Sequence, residues 1–212
     1  MKTSPFPNIV LCMSLCLTMP TQSRGEDTLG NAALLIIDIQ NFYFPGGRLP
    51  LVEPEKAAGN AQALLRAFRE MGKPVVHIRH NFEPGGEIHR DLAPRAGEKV
   101  ISKDHANAFK NTDLLEFLKA NKIKTVVICG MQTHMCVEAG ARAASDYDFE
   151  VIVAHDACAT RALQFGNREV SAQDVHASTL SALSGSYAEV TDTASILTRL
   201  RVRQPADRII GP

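Results

Sequence analysis

The sequence predicts an α/β fold, a doubly wound six-stranded parallel sheet with helices on both faces in a three-layer arrangement. Two observations carry that expectation. Apolar runs of strand length alternate along residues 30–203 with longer stretches of helical period. The first run, Ala32-Ala33-Leu34-Leu35-Ile36-Ile37, is apolar at successive positions rather than every second one, as a strand covered on both faces must be.

Residues 32–38 are the first predicted strand. A Pro45-Gly46-Gly47 turn leads to a helix over 54–71, with Ala57, Ala61, Leu64, Leu65 and Phe68 on one face and Gly72 as its stop. Residues 75–79 form the second strand. Residues 80–98 are rich in Gly, Pro and charge, and long for a plain connection, so a lid or binding loop is expected. Residues 99–102 give a short third strand and 113–121 a helix. Residues 125–130 form the fourth strand. The following helix, near 135–146, has Ala139, Gly140, Ala143 and Ala144 to let it approach the sheet closely. Strands at 150–153 and 187–190, a helix over 171–183 and a C-terminal helix to about 200 complete the domain, leaving 204–212 as a tail.

Composition narrows the function. Lys+Arg and Asp+Glu both number 23, for a formal net charge of zero. Binding to nucleic acid or an anionic membrane rests on clustered positive charge, so neither partner is expected and a small-molecule substrate is. Residues 1–23 read as a signal peptide or a disordered tail: Lys2, the short apolar run Ile9–Leu17, then Pro20 and Thr21-Gln22-Ser23-Arg24. The run is too short to span a bilayer. A periplasmic or secreted location follows if the segment is a signal, a cytoplasmic one if it is not. Beyond it stand Cys129, Cys136 and Cys158, an odd number without a CxxC pair or disulfide framework.

Three polar residues fall where the sheet would place a site, beyond the carboxyl ends of the strands. Asp38 ends the first strand, Lys103 follows the third, and Cys136 sits just past the fourth. A thiol at a helix N-terminus is favoured as thiolate, and the N–H groups there can hold an oxyanion. The competing readings are a small buried core cysteine, a capping aspartate and a solvated lysine.

The segments Leu35-Ile36-Ile37-Asp38-Ile39-Gln40, Lys103 through Ala108-Phe109, and Gly130-Met131-Gln132-Thr133-His134-Met135-Cys136-Val137 resemble the isochorismatase-like cysteine hydrolase family. Ala141-Arg142-Ala143-Ala144 and Asp156-Ala157-Cys158-Ala159-Thr160 extend the likeness, which covers about residues 32–192. The resemblance implies Asp38 as general base, Lys103 as charge partner and Cys136 as nucleophile. It also implies a cis Met131–Gln132 peptide, with the backbone N–H groups of Gln132 and Cys136 as oxyanion hole, and a homo-oligomer. The expected reaction is hydrolysis of a C–N bond in a small amide, imide, ureido or carbamoyl compound through a thioester.

Isochorismatases proper cleave a vinyl ether and lack the cysteine, so Cys136 argues against that substrate. Nicotinamidases carry an Asp-x-His…His metal site, and His77, His80, His89 and Asp91 do not match its spacing. No metal or cofactor is expected. A metal-assisted, nicotinamidase-like amidase and a non-catalytic small-molecule binder or thiol sensor remain the alternatives. Phe42, Phe44, His80, Thr133 and His134 are candidate substrate contacts, each with a plain packing or capping role as the alternative. The Gly46-Gly47 and Gly85-Gly86 pairs match no phosphate-binding spacing.

Overall fold

The computed structural model describes residues 29–200 of the chain. The proposed leader, residues 1–23, and the tail, residues 204–212, lie outside the described residues. Within them the strands are β1 (Ala32–Ile37), β2 (Val75–His80), β3 (Lys99–Lys103), β4 (Thr125–Met131), β5 (Glu150–Ala159), β6 (Leu163–Phe165), β7 (Arg168–Val170) and β8 (Glu189–Thr191). The α-helices are α1 (Pro54–Glu70), α2 (Leu114–Ala120), α3 (Glu138–Asp146), α4 (Ala172–Leu183) and α5 (Thr193–Leu200).

Six strands pair in the order β3-β2-β1-β4-β5-β8, all parallel. Strand order reverses between β1 and β4, whose carboxyl ends therefore flank the crevice where such sheets bind ligands. β1 is buried at every position, so alternate residues must feed two cores. Leu34 and Ile36 pack with Ala61, Leu64, Leu65 and Phe68 of α1 and with Ile196 and Leu200 of α5. Ala33, Leu35 and Ile37 pack with Leu114 and Leu118 of α2, Ala141 and Ala144 of α3 and Leu180 and Leu183 of α4. Each fully buried Leu or Ile contributes about 1.5–3 kcal/mol, and that burial sets the sheet's register.

Local chemistry explains the helix ends. Pro54 opens α1, where a missing N–H costs nothing, and Gly72 follows its end at φ +64°. Ser171 caps α4, its Oγ accepting from Asp174 N at 3.1 Å. Small residues decide how closely layers approach. A Cβ on Gly140 of α3 would lie 3.0 Å from Ile37 Cδ1, and one on Gly130 of β4 only 1.9 Å from Ile37 O.

Three expected elements differ from the structure, and one hairpin was not expected. β5 runs to Ala159 rather than stopping at 153, because a register shift between Ile128 and Gly130 lets it resume pairing beyond His155 and Asp156. The helix expected at 135–146 begins as a π-helical turn, Thr133–Val137, and becomes α-helical only at Glu138. The β6–β7 hairpin was not anticipated, although Gly166-Asn167 between Phe165 and Arg168 is a two-residue turn signal. The last strand lies at 189–191, with Tyr187 in the turn before it and Ala188 bridged to Ser184.

Candidate active site

The carboxyl ends of β1, β3 and β4 deliver the candidate residues. Asp38 follows β1 directly at φ +50°, its N–H held by Ile78 O at 2.9 Å. Lys103 is the last residue of β3, and the β2–β3 register sets it beside His80, the last of β2. Cys136 sits in the π-helical turn after β4. The Met131–Gln132 peptide that joins strand to turn is cis. Gly130 is what lets β4 come this close to β1 at the crevice, since a side chain there would collide with Ile37 O.

Lys103 Nζ lies 2.7 Å from Asp38 Oδ2 and 3.3 Å from Cys136 Sγ. Both charged side chains are 0% exposed. Cys136 is buried, at 6% exposed. His80 Nδ1 is 3.4 Å from the same ammonium and must accept from it, which places the imidazole proton on Nε2. Asp38 Oδ1 is buried and has no hydrogen-bond partner.

Burial dominates the electrostatics. It raises the Asp38 carboxyl, against the opposing attraction of Lys103. It pushes the Cys136 thiol up to about 12, and the neighbouring Asp38 carboxylate adds to the rise. Burial and the Asp38 carboxylate thus oppose the thiolate that a helix terminus and the Lys103 ammonium favour. His80 is lowered by burial and by Lys103, so it is neutral at neutral pH.

Asp38, His80 and Cys136 offer donor atoms within 4.8 Å of one another, a cluster that could hold a metal ion. Lys103 Nζ stands within 2.7–3.4 Å of an atom of each, so its ammonium already fills the place of a cation. His77 faces away from this cluster, with Nε2 2.9 Å from Glu98, which Arg69 also binds at 2.7 Å. His89 stacks on Phe44 at 4.0 Å between centroids.

The other sequence candidates are placed as follows. Phe42 is buried against Tyr43 and Phe82, at 4.1 and 4.4 Å between centroids. Thr133 Oγ1 bonds His176 Nδ1 at 2.9 Å, and His134 Nδ1 bonds Thr160 Oγ1 at 2.6 Å. Both side chains thereby brace the turn that carries Cys136. Tyr43, which the sequence offers with Phe42 and Phe44 only as apolar wall, oligomer contact or plain packing, instead uses its hydroxyl, which receives Gln132 Nε2 at 3.3 Å. Gln40, readable in the sequence only as a turn residue beside Asp38, clamps the 80–98 loop by bonding His80 O at 2.9 Å and Gly86 O at 2.7 Å. Only the aromatic run 42–44 and a polar residue one step beyond an apolar strand end signalled them.

The family model for the isochorismatase domain matches residues 32–195. The chain belongs to the isochorismatase family. An uncharacterised isochorismatase family protein of Bacillus subtilis, YddQ, is 44% identical over 176 residues, 78% of this chain and 98% of the relative. The maleamate amidohydrolase of Pseudomonas putida is 31% identical over 196 residues, 80% of this chain and 86% of the relative. The crystal structure of an isochorismatase-type hydrolase from Oleispira antarctica superposes with a TM-score of 0.77 at 43% identity, covering 82% of this chain and all of the other. This member of the isochorismatase family is thus a hydrolase, and a small-molecule substrate is consistent with its family. Among the described residues no helix is long and apolar enough to cross a membrane.

Proposed function

We propose that the protein is a cysteine hydrolase that cleaves the C–N bond of a small amide, imide, ureido or carbamoyl compound. The observation that carries this reading is the buried meeting of three reactive groups from separate strand ends, with Lys103 Nζ bridging Asp38 Oδ2 and Cys136 Sγ. The relationship to a maleamate amidohydrolase supports C–N hydrolysis as the chemistry.

The groups act in sequence. Because Cys136 rests as a thiol, its proton must leave as the sulfur attacks, and Asp38 is the carboxylate within reach to take it. The new S–C bond converts the substrate carbonyl to an oxyanion, which the backbone N–H groups of Gln132 and Cys136 receive. Lys103 stays charged and balances the negative charge as it passes between sulfur and carboxylate. The C–N bond breaks, and the Asp38 proton goes to the departing nitrogen as ammonia or an amine. Water, giving its proton to Asp38, adds to the thioester; the acid product departs and the sulfur recovers its proton.

Replacement of Cys136 by Ala tests the reading. Turnover on an amide panel should fall by about 10³-fold or more while the fold survives, and wild-type protein should show a covalent acyl mass on the Cys136 peptide. Undiminished turnover in Cys136→Ala protein removes the mechanism.

A further inference from the structure

The reaction as proposed leaves one side chain of the buried cluster without a role. His80 Nδ1 lies 3.4 Å from Lys103 Nζ, and a ring nitrogen of His80, a carboxylate oxygen of Asp38 and Cys136 Sγ all lie within 4.8 Å of one another. Asp38, Lys103 and Cys136 are buried, whereas His80 is half-buried. It is the member of the cluster most open to an incoming molecule.

The fold holds this residue from several sides. Gln40, itself wholly buried, gives Nε2 to His80 O at 2.9 Å and takes the His80 N–H on Oε1 at 2.8 Å. The strand register then sets Lys103 alongside. An ammonium has three protons to give, and Asp38 Oδ2, Cys136 Sγ and His80 Nδ1 take one each. Lys103 has no donor left for a substrate. With Nδ1 occupied as acceptor, the imidazole proton sits on Nε2, across the ring from the ammonium. Among the described residues nothing accepts from Nε2: the Asp104 carboxylate, whose charge His80 feels, has Oδ1 on Asn81 at 2.7 Å. Nor is Nε2 one of the polar atoms sealed from solvent without a partner. It is a preset donor with room for one more acceptor.

We propose that His80 is a substrate-binding residue of the site, its Nε2–H donating to a neutral acceptor oxygen of the substrate that lies beyond the scissile carbonyl. This rests on the reading of Cys136 as nucleophile and adds what holds the substrate against it. The scissile oxygen goes to the backbone N–H groups of the turn, so Nε2–H must be met by a second acceptor. A molecule with hydrocarbon at that place covers the donor without pairing it and is disfavoured for that reason. An ether, hydroxyl or second amide oxygen suits a neutral donor beside the Asp38 carboxylate better than an anion does.

The test uses a matched pair of thiol reagents, N-(2-methoxyethyl)chloroacetamide and N-butylchloroacetamide, which differ by an ether oxygen in place of one methylene. In each, the sulfur loses its proton and bonds the chlorinated carbon as chloride leaves. Labelling of Cys136 is followed by mass spectrometry on wild-type, His80→Phe and His80→Gln protein, each rate normalised to that reagent's rate with glutathione. The methoxyethyl reagent should label wild type about three- to tenfold faster than the butyl reagent, as for one neutral hydrogen bond. That ratio should fall to about one in His80→Phe, which keeps a ring without the donor. It should recover in part in His80→Gln, whose amide nitrogen can donate. Equal rates in wild type overturn the proposal, whatever the variants do. A preference that survives in His80→Phe overturns it too, since a role confined to bracing Lys103 slows both reagents alike and leaves the ratio intact. Equal labelling of Cys136 by both reagents sinks the His80 assignment alone, while a Cys136 that refuses both sinks the nucleophile and the assignment with it.

Discussion

Replacing Lys103 with Met probes the physical core of the site. The perturbation removes an ammonium that sits 2.7 Å from Asp38 Oδ2, with both side chains 0% exposed. Asp38 Oδ1 already lacks a partner, so the carboxylate would be left buried and uncompensated. Breaking one half of such a pair costs about 3–5 kcal/mol. For a domain of this size that lowers Tm by roughly 6–20 °C. Asp38→Asn should cost a similar amount by stranding the ammonium. The double variant, with no buried charge, should return to within about 1–2 kcal/mol of wild type or exceed it. The pH dependence carries a definite sign. Burial raises the Asp38 carboxyl, so the folded state binds that proton more tightly than the unfolded chain does. Its contribution is fully present below the unfolded value and is lost as pH rises through the folded one. Without Lys103 the folded value climbs further, so the deficit of Lys103→Met should shrink on acidification toward pH 5. Denaturant unfolding of all four proteins at two pH values measures this. Single variants within about 0.5 kcal/mol of wild type, with an additive double, would show that the pair is not the buried ion pair described.

The same raised carboxyl predicts that kcat/KM falls on the acid side at a pH above the ordinary aspartate value of 3.8, as Asp38 takes up the proton it must otherwise accept from sulfur; a pH–rate profile with a limb at or below that value contradicts the assignment of the base. Gly130→Ala should abolish soluble folded protein or cost more than about 3 kcal/mol, because a Cβ would lie 1.9 Å from Ile37 O at φ +139°; thermal melting checks it. Tyr43→Phe should lower stability by about 1 kcal/mol and kcat by about tenfold, since it frees Gln132 Nε2 beside the nucleophile's turn; unfolding curves and steady-state kinetics report both.

The sheet and the positions of Asp38, Lys103 and Cys136 along it were legible for one reason. Apolar runs mark the strands, and a polar residue where such a run stops marks the rim. What escaped is what depends on neighbours distant in sequence. Ser102-Lys103-Asp104-His105 reads as a solvated turn, yet Lys103 is wholly buried because β3 delivers its end against β2 and the crevice. The upward shift of Cys136 is a desolvation effect that helix position cannot reveal. The true end of β5 was hidden because His155 and Asp156 interrupt its apolar run, making the strand look finished six residues early. The π-helical turn at Thr133–Val137 has no signature apart from its contacts, with His176 and Thr160 bracing it from two other elements.

If Asp38, Lys103 and Cys136 act as proposed, the strand order β3-β2-β1-β4 has a consequence for how the catalyst comes into being. Its acid, its cation and its sulfur ride on strands made well apart during synthesis, and no contiguous fragment short of residue 136 contains all three. Chemical competence should consequently switch on late and abruptly, when β4 docks beside β1. A nascent or partly refolded chain would hold an inert thiol, and the onset of turnover would time the closing of the sheet more sharply than any spectroscopic signal averaged over its helices.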